Sequence, residues 1–187
     1  MDESESLPPA IINENKKRIR HHVKAYKNQL KYFVLTSRFN TQTWNENLEF
    51  RKTHPKVGCI YSSPTMITTD IPIDNVIFML EMNNDTNTIM GIGMIRNHPT
   101  YNKYRVYDSG NYNRYTYLGR NRIDREEMSS EEETIMRVFD ILCFKGNKHM
   151  KRGNGLKLFP LEMLRRCAKK VDLVDFIYNM FSIREKI

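Results

Sequence analysis

Apolar positions fall at two spacings along this chain. Ile19, Val23, Tyr26 and Leu30 recur every three to four residues, which predicts an amphipathic helix over 16–31. Farther on, the apolar residues come in short unbroken runs. These predict strands near 32–36, 57–61, 76–82 and 88–95, buried on both faces. Asn83-Asn84-Asp85-Thr86-Asn87 joins the last two as a hairpin turn. Thr43-Trp44-Asn45-Glu46 has the form of a capping box for a helix over 44–53, ended by His54-Pro55. The stretch 62–72 is polar and β-branched with two prolines, and reads as a loop.

Tyrosines at 101, 104, 107, 112, 115 and 117 suggest two further strands, 103–108 and 113–118. Helical patterns close the chain. Ser130-Glu131-Glu132-Glu133 caps the first helix, whose stripe is Ile135, Val138, Phe139 and Leu142. Pro160 opens the second. Leu173, Phe176, Ile177, Met180 and Phe181 stripe the third. The expected class is α+β: a curved, mainly antiparallel sheet or β-barrel flanked by helices, with a C-terminal helical segment. At 187 residues the chain fits one domain, 15–187, after an acidic tail over 1–14 expected to be disordered.

Charge changes this picture. The net charge is +8, which favours a polyanionic partner. Seven cations and no acid lie between Lys16 and Lys31, so that helix, like the C-terminal ones, is a candidate protein-binding surface. No run approaches the roughly 18 apolar residues of a membrane span, so no membrane partner is expected. Cys59, Cys143 and Cys167 are scattered among apolar neighbours and read as reduced and intracellular. No CxxC or HxxxH spacing exists, so neither a metal nor a cofactor is expected. Abundant Asn, Ile, Lys and Tyr beside scarce Gly, Ala and Pro match an AT-rich coding bias.

Candidate chemistry concentrates in three places. Segment 145–157 has five cations, three glycines, His149 and no acid. Lys145, Lys148, Lys151 and Arg152 there are candidate phosphate contacts. The tyrosine block is interleaved with Lys103, Arg105 and Arg114, a composition suited to stacking bases. Trp44 and the Tyr61-Ser62-Ser63 step form a third candidate, an aromatic pocket. Asp70, Asp74 and Glu81 could suggest a metal-dependent nuclease, but they lack the following x-Lys. No nucleophile motif is present.

Tyr32, Phe33, Val34 and Ser37, then Gly58, Tyr61 and Ser62, then Phe78, Gly91 and Gly93 follow a strand–helix–strand–hairpin order. This arrangement, over about 31–118, resembles the PUA-like superfamily, above all its YTH and EVE domains. The chain as a whole also looks like proteins encoded by large DNA viruses. The resemblance implies a PUA-like core over about 31–125, with helices over about 130–185. It implies a non-enzymatic nucleic-acid-binding module, RNA before DNA, that reads a modified base through Ser37, Trp44, Tyr61 and Ser62. A YTH cage is built of tryptophans. Here there is one Trp, so the second wall must be Trp44 or a tyrosine from 101–117. The alternative is a viral structural or assembly protein with basic interaction surfaces.

Overall fold

A computed structural model describes residues 9–184. Helix α1 (Pro9–Gln29) leads into β1 (Phe33–Phe39), α2 (Thr41–Thr53) and β2 (Cys59–Ser63). The hairpin β3 (Val76–Asn83) and β4 (Thr88–Arg96) follows. Then come β5 (Tyr115–Gly119), β6 (Asn121–Asp124), α3 (Ser130–Phe144), β7 (Lys157–Leu158), α4 (Leu161–Cys167) and α5 (Leu173–Ile183).

The class is α+β, in two open sheets rather than a closed barrel. Five strands run in the order β6-β4-β3-β1-β7, and β2 pairs with β5 alone. Most pairings are antiparallel, but β1 and β3 run parallel, Phe33 opposite Ile77 and Ser37 opposite Glu81. Alternation splits the apolar runs between two cores. Val34, Phe78 and Leu80 face α3, α4 and α5, with Phe139, Ile177 and Phe181 against them. Phe33, Leu35, Ile77 and Met79 face the other way, onto Tyr61, Tyr117 and Trp44. With both faces covered, the central strands carry continuous apolar runs instead of an alternating pattern.

Several boundaries differ from the sequence reading. Residues 9–14, expected in a disordered tail, are the first turns of α1, and residues 1–8 lie outside the described part. The cap of α2 is Asn40, whose Oδ1 accepts from Thr43 N at 2.8 Å, while Thr43 Oγ1 accepts from Asn40 N at 3.0 Å. Thr43 thus closes the capping box instead of opening it. Ser129 caps α3, one residue before the expected Ser130.

Residues 103–108 are not a strand. Asn113 Oδ1 accepts from both Val106 N and Tyr107 N at 2.9 Å, so a side chain satisfies the amides a sheet partner would have held. Residues 110–113 close this loop as a 3₁₀ turn.

Candidate functional site

Parallel pairing brings the carboxyl ends of β1 and β3 side by side. A cleft of about 260 Å³ opens there. One wall is the end of β1, Ser37 through Asn40. A second is Ser62 with Tyr107 and Tyr112. A third is the loop 153–156, and Asn84 closes the corner beside β3.

Each wall has a local cause. Ser37 shares the inward face of β1 with Phe33 and Leu35, and is nearly buried. Ser62 pairs with Thr116 across β2 and β5, their hydroxyls 2.7 Å apart. The Tyr107 hydroxyl accepts from Asn47 Nδ2 at 3.2 Å, and burial raises its pKa so that it stays protonated. Tyr112 sits on the 3₁₀ turn with 37% of its surface exposed, leaving part of its ring open to a ligand. Loop 153–156 bends through Gly153 and Gly155, at φ of +94° and +74°. A Cβ at Gly155 would also sit 2.7 Å from Ser63 Oγ.

Two polar groups of the cleft carry unspent hydrogen-bonding capacity. The Arg38 Nε donates to the Met150 carbonyl, and Nη1 to the Gly155 carbonyl at 3.5 Å. Those contacts tie the loop to β1 and leave the outer guanidinium N–H groups over. Burial pulls the Arg38 pKa below its ordinary value, yet a guanidinium stays cationic. No ion pair among the described residues includes it. Asn84 Nδ2 donates to the Lys151 carbonyl at 3.1 Å, while its Oδ1 is buried with no partner. An unpaired buried acceptor costs about 1–3 kcal/mol.

The cleft continues outward. Tyr112 and Asn154 also border a shallow hollow with Pro64, Asn111 and Arg114. Arg114 in turn borders another with Lys103, Tyr104 and Arg105. Three cations thus follow the cleft along one surface path.

The residues anticipated from sequence separate. Ser37 and Ser62 meet in the cleft. Trp44 does not line it: the indole is buried edge-on against Phe39, with Arg51 and Arg122 5.5 and 5.7 Å from its ring centre. Tyr61 is fully buried, and its hydroxyl donates to Glu81 Oε1 at 2.6 Å. The aromatic surface of the cleft comes from Tyr107 and Tyr112 instead.

Among the basic residues, Lys145 and Lys148 are exposed and lie outside the lining. Lys151 Nζ donates to Asn87 Oδ1 at 2.7 Å, which pins the loop to the hairpin turn. Arg152 is exposed and directly precedes the lining glycines. Sequence reasoning missed Arg38 and Asn84. The one available signal was the switch from apolar to polar at the end of each strand.

Asp70, Asp74 and Glu81 do not converge. Asp70 pairs with Lys27, Asp74 with His98, and Glu81 with Arg122. No group of three or more His, Cys, Asp or Glu among the described residues could hold a metal ion. No described helix is long and apolar enough to cross a membrane.

No family model, curated protein or solved structure matches this chain. The functional reading therefore rests on the cleft itself.

Proposed function

We propose that the protein is a single-strand nucleic-acid-binding module that takes one base into the cleft. The observation that carries this is the combination of groups around one hollow. Tyr112 offers a partly exposed ring, Ser37 and Ser62 offer hydroxyls, and Arg38 and Asn84 hold unspent donors and an unspent acceptor. Nucleotide sites take this form: stacking area for the base, a few fixed polar groups for its edge, and cations outside for the phosphates. Arg152, Arg114, Lys103 and Arg105 supply those cations along the surface path. The YTH- and EVE-like order of elements agrees with this reading, with tyrosines where a YTH cage has tryptophans.

Fluorescence anisotropy with 5′-labelled single-stranded RNA, single-stranded DNA and duplex DNA tests it. Single strands, RNA foremost, bind more tightly than duplex, and affinity falls steeply with salt. Tyr112→Ala weakens single-strand binding about tenfold, because base–aromatic stacking contributes about 1–3 kcal/mol. Its thermal midpoint stays near wild type. Equal binding of duplex and single strands, with Tyr112→Ala silent, contradicts the proposal.

One observation favours an assembly role instead. In α1, Ile11 and Ile12 are exposed a turn ahead of the cations. A large obligate oligomer in light scattering supports that alternative, and a monomer supports the base-binding module.

A further inference from the structure

Base identity follows from which groups of the cleft are left over. A guanidinium has donors only, and its outer fork fits two adjacent acceptors. Three Arg38 N–H groups remain after the bonds to Met150 and Gly155. Asn84 adjoins this arginine: its backbone N donates to the carbonyl of Phe39, the next residue of β1, at 2.8 Å. Its Oδ1 is an acceptor without a partner, and its orientation is fixed by the bond from Nδ2 to Lys151. The cleft therefore presents two donors beside an acceptor. The complementary edge reads acceptor, acceptor, donor.

We infer that the cleft selects a base with that edge, meeting its paired acceptors with Arg38 and its donor with Asn84. This rests on the reading that a base enters the cleft. Guanine carries the pattern as N7, O6 and N1–H, and arginine paired to its O6 and N7 is a common specific contact in nucleic-acid recognition. Cytosine carries it as O2, N3 and the N4 amino group. Adenine alternates acceptor, donor, acceptor across N7, the N6 amino group and N1. Uracil alternates likewise across O2, N3–H and O4. Either one sets an N–H against the guanidinium and leaves a buried group unpaired, which is how sites reject a near-isostere. Methylation at N6 keeps one N–H on adenine and does not repair the mismatch. A phosphate would satisfy the fork but leave Asn84 Oδ1 facing a second acceptor.

The test is anisotropy on labelled oligouridylate nonamers whose central position is guanosine, cytidine, adenosine, N6-methyladenosine, uridine or an abasic spacer. Guanosine or cytidine binds about tenfold tighter than adenosine, N6-methyladenosine or uridine, and the two arms distinguish which base the cleft takes. Arg38→Gln pairs one donor with one acceptor, as adenine requires, and so erases the preference or turns it toward adenosine. Arg38 also secures loop 153–156, so the readout is the ratio between bases within one variant. Asn84→Ala leaves the arginine contacts in place and reduces the same ratio several-fold.

A wild-type preference for adenosine, N6-methyladenosine or uridine overturns the inference, as does a ratio that neither substitution changes. An abasic strand bound as tightly as every base overturns the base-binding proposal itself.

Discussion

Tyr61 was expected at the mouth of a pocket and instead anchors a buried ionic network. Arg122 clasps Glu81 through Nε, at 3.0 Å to both carboxylate oxygens, and through Nη2 at 2.7 Å, while Nη1 donates to Asp124 at 2.6 Å. Burial alone would lower the Arg122 pKa, but Glu81 and Asp124 more than reverse that and raise it. Burial and the Glu81 charge together raise the Tyr61 hydroxyl well above its ordinary value. Gly93 leaves room for this arrangement, since a Cβ there would lie 2.0 Å from the Tyr61 hydroxyl. The two strand glycines did signal a close approach in the sequence. Which side chains approach, Tyr61 at Gly93 and Arg122 at Gly91, depended on a pairing across the sheets that no local pattern encodes. Removing Glu81 strands a buried guanidinium and a phenol. Glu81→Ala should therefore cost about 3–5 kcal/mol in urea unfolding. A loss below about 1 kcal/mol would mean that Asp124 alone neutralises Arg122.

Helices α3 and α5 show what elements encode by themselves. The stripe of α5 appeared in the sequence almost residue for residue, because its 3.6-residue period answers one core. The expected strand at 103–108 failed because the alternation of tyrosines says nothing of Asn113, five residues beyond it. The C-terminal end of α5 is joined to the N-terminal end of α3 by Arg184, which donates to both Glu132 oxygens at 2.6 and 2.7 Å. Arg125 likewise grips Glu133 at 2.8 Å through two nitrogens.

These hydrogen bonds hold the Glu132 and Glu133 carboxyls below their free value of 4.5, against a smaller opposing effect of burial. A carboxylate with a depressed folded pKa stabilises fully above its unfolded value, and that stability is lost as pH falls through the folded one. Unfolding free energy should hold steady from pH 7 to about 5 and drop below about 4.5. Arg184→Gln should lower it at pH 7 and shrink the difference between pH 7 and pH 4. An unchanged difference in urea titrations at the two pH values would show that the Arg184–Glu132 bridge does not carry the acid sensitivity.

Over the whole molecule, the broad class was legible and the site was only partly so. Continuous apolar runs announced buried strands. Parallel β1–β3 pairing was not announced, because its crossover contains α2 and β2 and its register is set by both cores together. That pairing creates the cleft, so the residues at its strand ends, Arg38 and Asn84, became visible only with the fold. The net charge of +8 spreads over α1, loop 145–152 and the path past Arg114, and charge alone does not choose among them. Ultraviolet crosslinking of a single-stranded oligonucleotide, followed by mass spectrometry of the adducts, does choose. Adducts on Tyr112 or within residues 153–156 are the predicted result. Adducts confined to α1 or to residues 145–148, with none at the cleft, would contradict the account.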